Sequence, residues 1–353
     1  MEQRKYMQDD IWRFLYTRGV EDFDDMTSLS KDVRAALKAG FEVGNGIIKS
    51  NLTSKDGTRK WLIGFGKGAD IETVLIPSPT DPKSGTVCVS SQVGCSLSCS
   101  FCHTGTQKLL RNLAANEILS QIMHAMRSVG DFPLEKGKRR NISNIVFMGQ
   151  GEPLYNFRNV SAAISLLTSR SALNMARWRI TLSTSGVAPL MERVGKDLGV
   201  GLAVSLHAVT DPLRDVLVPL NKQYPIKEVL NGCHKYLSHM PNESRHRRIT
   251  FEYVMLDGVN DTPADARHLT RLIGQMPSHV NLIPFNPWPG SDYKPSTDAN
   301  IQRFRKIVDE AGIACHVRLP KGQDIMAACG QLKSSEDRKR IRAAAKTLDP
   351  VQE

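Results

Sequence analysis

The spacing of apolar positions changes near residue 80. Before it, Ile11-Trp12, Leu15-Tyr16, Phe23 and Met26 recur at roughly helical intervals, and Ser28 or Ser30 stands where the cap of a helix over 31–41 belongs. Runs at 46–52 and 72–77 read as strands, with Asp56-Gly57 as the turn between them. Residues 77–85, rich in Pro, Ser, Thr, Asp and Gly, predict a linker. Beyond it, strand-like runs at 86–90, 142–148, 180–183, 200–206, 250–255, 280–285 and 313–318 alternate with helical patterns at 114–125, 160–169, 226–237, 264–275 and 301–311. This rhythm predicts βαβ crossovers and a parallel sheet, open or curled into a barrel, with chemistry gathered at the carboxyl ends of the strands. The expected organisation is a small N-terminal accessory domain over 1–78, a core over 79–332 and a basic, helix-prone tail over 333–353. No internal repeat or low-complexity tract interrupts it.

Composition narrows the class. No apolar run approaches the roughly 18 residues of a membrane span, and the first ten residues lack the apolar stretch of a secretory signal, so the expected location is the cytoplasm, away from membranes. The 47 Lys and Arg outnumber the 36 Asp and Glu, leaving a formal charge of +11. Three basic clusters, Lys138-Arg139-Arg140, Arg245-His246-Arg247-Arg248 and the tail from Lys333, favour contacts with phosphate. Seven cysteines, an odd number in a chain without a secretory signal, point to ligands or redox groups and not to a disulfide framework.

Cys95, Cys99 and Cys102 form C-x3-C-x2-C just after the run at 86–90. Three thiolates so spaced can hold three irons of a cubane and leave the fourth open. Zinc is the competitor, with His103 as the nearest fourth ligand, although Cys102 and His103 are adjacent and awkward for one tetrahedral ion. The zinc alternative predicts a non-catalytic RNA-binding protein. Further along, Met148-Gly149-Gln150-Gly151-Glu152-Pro153, Thr181-Leu182-Ser183-Thr184-Ser185-Gly186, Ser205-Leu206-His207 and Ile283-Pro284-Phe285-Asn286-Pro287-Trp288 place hydrogen-bonding groups after consecutive strands.

The cysteine spacing resembles the signature of radical S-adenosylmethionine (SAM) enzymes. With Cys88-Val89-Ser90-Ser91-Gln92-Val93-Gly94-Cys95, Phe101-Cys102-His103-Thr104-Gly105-Thr106-Gln107 and Arg111-Asn112-Leu113, the chain is similar to the RlmN/Cfr group of RNA methyltransferases from about Trp12 to Leu332. The resemblance implies a partial (β/α)6 barrel, a 4Fe–4S cluster on Cys95, Cys99 and Cys102, and SAM on its open iron and against Gly151, Glu152, Ser183, Ser205, Leu206, His207 and Asn286. It further implies methylation of adenosine C2 in 23S rRNA and in tRNA, with methylation of C8 as the group's alternative. Cys329 would carry the methyl group, Cys88 would resolve the protein–RNA adduct through a transient disulfide, and Glu72 would take the C2 proton. A reductant such as flavodoxin or ferredoxin and a monomeric state belong to the same expectation. Cys233 and Cys315 match no role in the group and read as structural. The group often has some tens of residues before the tryptophan matching Trp12; eleven precede it here, with Asp9-Asp10 in place of a basic run.

Overall fold

The computed structural model describes residues 2–44, 46–66, 68–81, 84–135, 137–240 and 248–334. Helices α1 (Glu2–Trp12) and α2 (Lys31–Gly40) open the chain. The Ser30 hydroxyl accepts the Val33 N–H at 3.3 Å and starts α2, a cap that stabilises a helix by about 1 kcal/mol. Phe14, Phe23, Met26 and Leu29 close over one another into a small core of their own. This unit is joined to the body through Arg127, which pairs with Glu21 at 3.1 Å and donates to the Gly19 carbonyl at 3.2 Å.

Three antiparallel strands follow, β1 (Ile47–Thr53), β2 (Arg59–Gly64) and β3 (Asp70–Pro77). The middle one escapes the hydrophobic pattern because Arg59 and Lys60 interrupt it, and Lys60 nevertheless points inward and is buried. β3 pairs antiparallel with β4 (Gly85–Cys88), so the hairpin region extends the same sheet and the expected boundary at residue 78 falls between two hydrogen-bonded strands. Gln121 reinforces that joint: its Oε1 accepts from Thr73 Oγ1 and from the Ser90 N–H, both at 2.8 Å.

Short strands β5 (Gln92–Val93) and β6 (Arg111–Asn112) pair across the base of the cysteine loop. The alternating elements then run α3 (Ala115–Ser128), β7 (Ile142–Phe147), α4 (Phe157–Thr168), β8 (Ile180–Thr184), α5 (Ala188–Arg193), β9 (Gly201–Ser205), α6 (Asp211–Leu217), α7 (Ile226–His239), β10 (Ile249–Met255), α8 (Pro263–Ile273), β11 (Ser278–Pro284), α9 (Asp298–Glu310) and β12 (Cys315–Val317). The sheet order is β1-β2-β3-β4-β7-β8-β9-β10-β11-β12, parallel from β4 onward. Six strand–helix steps, beginning at β4, β7, β8, β9, β10 and β11, give the expected partial barrel, and β12 closes its edge.

Strands covered on both faces have near-continuous apolar sequences, as in Leu202-Ala203-Val204 and Tyr253-Val254-Met255. The crossover helices bury one stripe; in α3 it is Ile118, Ile122 and Met126. Cys233 and Cys315 lie in this core. Among the described residues no helix is long and apolar enough to cross a membrane.

Candidate active site

The carboxyl ends of β4, β7, β8, β9, β10, β11 and β12 surround a cavity of about 500 Å³. Of the residues expected in the site, Cys88, Cys95, Cys99, Cys102, Gly151, Glu152, Ser183, Ser205, His207, Asn286 and Cys329 all line it. Two do not. The Leu206 side chain is fully buried in the core, leaving only its backbone at the end of β9. Glu72 lies behind the wall, on the β3 face that carries Val74 and Ile76 into the cavity, and pairs with Lys60 at 2.8 Å.

The cysteine loop is tight. A Cβ at Gly105 would sit 2.7 Å from the Cys99 carbonyl, so a side chain there would push the loop open. Burial raises all three thiols, Cys95 to about 12, and neighbouring thiols add to it: Cys102 against Cys95, and both against Cys99. His103 turns away from the cavity. Its ring stacks on Trp288 at 4.6 Å and its Nδ1 sits 3.2 Å from the Gln331 carbonyl.

The Gly-Glu-Pro turn after β7 is set by Gln92, whose Oε1 accepts the Glu152 N–H at 2.9 Å and the Ser96 N–H at 3.2 Å. Gly151 adopts φ +97°, and a Cβ there would meet Gln92 Cβ at 2.5 Å. Glu152 is buried with Oε1 on the Leu154 N–H and Oε2 on the Ser185 N–H, at 3.0 and 2.8 Å. Burial outweighs these bonds and pushes its carboxyl up to about 7. His207, at φ +62°, accepts the Val254 N–H on Nδ1 at 3.0 Å, which leaves its ring proton on Nε2. Burial and the nearby Arg214 push its pKa down to about 3, so the ring is neutral.

Cys329 is held by the loops around it. Asn286 Nδ2 donates to its carbonyl at 3.1 Å, His103 N–H to the Gly330 carbonyl at 2.7 Å, and Thr104 Oγ1 to the Leu332 carbonyl at 2.6 Å. Its side chain is accessible from inside the cavity while protein encloses it, and the thiol is pushed up to about 11 by burial. Burial and the charge of Cys329 push Cys88 to about 12. Arg318 counters both, lowering each thiol. Its Nη1 is anchored 3.2 Å from Glu252 Oε2 and 3.8 Å from Met148 Sδ.

Arg318, Glu252 and Arg214 were not legible as site residues. Arg214 is fully buried and donates to the carbonyls of Leu206, Ser185 and Ser205 at 3.0, 2.7 and 3.1 Å, fastening together the loops after β8 and β9. The signal available in the sequence was only its position, seven residues after His207 and within the helical stretch Asp211–Leu217.

Comparison with known proteins decides the family. The model of the radical SAM superfamily matches residues 89–269, and that of the ribosomal RNA large subunit methyltransferase N-terminal domain matches residues 1–43. The dual-specificity RNA methyltransferase RlmN of Agrobacterium fabrum is 50% identical over 352 residues, covering 96% of this chain and 84% of the relative. That of Granulibacter bethesdensis is 52% identical over 331 residues, covering 94% and 82%. The chain belongs to the RlmN family of radical SAM enzymes. The crystal structure of a radical SAM methyltransferase from Sphaerobacter thermophilus matches with a TM-score of 0.86 at 40% identity, covering 93% of both chains.

An RlmN-family enzyme uses a 4Fe–4S cluster and SAM. The donor set fits the cluster: three buried thiols face one cavity and gain from binding a cation assembly that deprotonates them. The buried, ligand-facing Glu152 carboxylate and the backbone freed at Gly151 fit the amino-acid end of SAM. Gly151→Ala is expected to weaken SAM binding at least tenfold, on the order of 1.4 kcal/mol or more, by displacing Gln92 and the Glu152 turn. Gly40→Ala, with open space around its Cβ, is expected to leave it unchanged. Calorimetric titration of the reconstituted protein with SAM measures both.

Proposed function

We propose that this chain methylates C2 of an adenosine in 23S rRNA and in tRNA through a methyl group carried on Cys329. The observation that carries the reading is the opening of Cys88 and Cys329 into the same cavity as the three-thiol loop, in a chain whose relatives are dual-specificity RNA methyltransferases. Adenine C2 is electrophilic and does not attack the positive methyl group of SAM, so a nucleophile of the protein must take that methyl first. Cys95, Cys99 and Cys102 would hold the cluster, which on reduction would supply a 5′-deoxyadenosyl radical from SAM.

Cys329 takes the methyl group as a thiolate, and Arg318 is the cation that favours this form in a site whose burial opposes it. After hydrogen abstraction, the methylene radical on Cys329 sulfur bonds to C2, and the unpaired electron this leaves on the ring passes back to the flavodoxin or ferredoxin that serves the enzyme. Glu72 accepts the C2 proton. The Cys88 thiolate attacks Cys329 sulfur, the sulfur–carbon pair leaves with the carbon, which takes up a proton to become the methyl group of the product, and a Cys88–Cys329 disulfide remains. Glu152 binds the SAM ammonium, His207 offers its Nε2–H, and Ser183, Ser205, the Leu206 backbone and Asn286 complete the pocket. The side chain of Leu206 lies in the core.

RNA approaches at the rim formed by Leu319, Pro320 and Lys321, with the adenosine turned out of its stack to reach Cys329. Of the basic clusters, Lys138 pairs with Glu135 and Arg139 with Asp81, which leaves this cluster with reduced attraction for phosphate. Arg245, His246, Arg247 and the tail from residue 335 lie outside the described residues. A flavodoxin or ferredoxin supplies the electron, and the chain acts as a monomer.

Two measurements test the reading. Cys329→Ala is expected to bind and cleave SAM yet make no methylated RNA, and Cys88→Ala to accumulate a covalent protein–RNA adduct visible on a denaturing gel. Normal methylation by Cys329→Ala removes the methyl carrier from the account. Independently, the raised Glu152 pKa gives SAM binding a pH dependence. The carboxylate form binds the ammonium, so affinity is full above about 7 and falls roughly tenfold per unit as pH drops below it. Glu152→Gln is expected to bind weakly with no such step; a wild-type profile flat between about pH 5.5 and 8 contradicts the role of Glu152.

A further inference from the structure

Lys60 is a buried cation to which the mechanism above gives no task. It lies on β2 opposite Val74 of β3, while Leu62 lies opposite Glu72. Lys60 and Glu72 are thus diagonal neighbours on the sheet face that presents Val74 and Ile76 to the cavity. Lys60 Nζ is 2.8 Å from Glu72 Oε1, and the two side chains are 3% and 0% exposed. The same Nζ donates to the Met326 carbonyl at 3.2 Å. Met326 adopts φ +53°, three residues before Cys329, in the segment that brings the methyl carrier to the cavity. One ammonium group therefore touches both the expected base and the main chain leading to the methyl carrier.

We propose that Lys60 is the positioning residue that keeps Glu72 ionised and aimed at the Cys329 loop, ready for the C2 proton. The proposal rests on the reading of Glu72 as the base under Proposed function. In that step the C2–H bond breaks, its electron pair stays with the ring, and an O–H bond forms on Glu72. Removing the cation beside a carboxylate this deeply buried shifts it toward its neutral form, because desolvation is then less opposed.

The other groups around Glu72 do not replace Lys60. Asp70, two residues away on β3, carries like charge and is paired with Lys49 at 2.7 Å. Cys88 on β4 is a thiol pushed up to about 12. Asp324, in the segment that also holds Met326, is turned to Ser54 Oγ and the Lys55 N–H. Gln150, after β7, accepts the main-chain N–H of Glu72 at 3.0 Å and carries no charge. Gln121 of α3 bonds Thr73, on the opposite face.

The test uses the full chain, reconstituted with cluster, SAM and RNA, in single-turnover reactions that score 5′-deoxyadenosine, covalent adduct and released methylated RNA separately. Lys60→Gln, which can still donate to the Met326 carbonyl but carries no charge, is expected to form 5′-deoxyadenosine at a rate within about twofold of wild type. Its release of product at pH 7 is expected to fall at least about tenfold, with adduct accumulating as in Glu72→Gln. Raising the pH to about 9 is expected to restore release in Lys60→Gln and not in Glu72→Gln, a difference that a general loosening of the fold does not produce. Lys60→Arg is expected to keep most of the release. If Lys60→Gln does not fold, Lys60→Met is scored in the same way. Normal release by the charge-free Lys60 variant, with trapped adduct in Glu72→Gln, overturns the proposal and spares the base. Normal release by Glu72→Gln overturns the base itself.

Discussion

The site depends on stitching two loops that are far apart in sequence onto one another. The main chain from Gly330 to Leu332 receives hydrogen bonds from His103 and Thr104, which directly follow the last cysteine of the cluster loop. Asn286, at the end of β11, donates to the Cys329 carbonyl, and Gln331 returns a bond to the Pro287 carbonyl at 2.8 Å. These contacts close the open edge of a partial barrel and set Cys329 facing the three-thiol loop. Without them Cys329 and the three-thiol loop would belong to separate segments, with nothing to bring them to one cavity.

Burial gives this arrangement its second property. In the protein alone the cavity favours uncharged groups: the thiols are raised, Glu152 is raised to about 7, and His207 is lowered to about 3. Two anchored pairs hold charge at or beside it, Arg318 on Glu252 and, behind the wall, Lys60 on Glu72. Charge is therefore called up where a ligand or a neighbouring cation makes it favourable, which matches a sequence of steps that needs thiolates one at a time.

Much of this was readable from the chain. The period of the apolar positions located the parallel strands to within a few residues, since strands covered on both faces leave near-continuous apolar runs. Ser30 marked the start of α2 because its hydroxyl competes for the first free N–H groups of the helix. The cysteine loop and the Gly-Glu-Pro turn were visible because their chemistry demands those residue types at short spacing. The misses have a common cause. β2 was hidden by Arg59 and Lys60, charges whose partners lie on other segments. Arg214 and Arg318 look like surface residues until the loops they fasten are brought together by the fold. Leu206 is a motif position whose side chain belongs to the core and whose backbone stays at the strand end.

Methylation of adenine C2 through Cys329 is tested most directly by the position of the new methyl group. RNA from a strain lacking the protein, treated with the reconstituted enzyme, SAM and a reductant, is digested to nucleosides and analysed by mass spectrometry. The account predicts 2-methyladenosine in both 23S rRNA and tRNA; 8-methyladenosine, or no methylated adenosine from a protein that cleaves SAM, contradicts it.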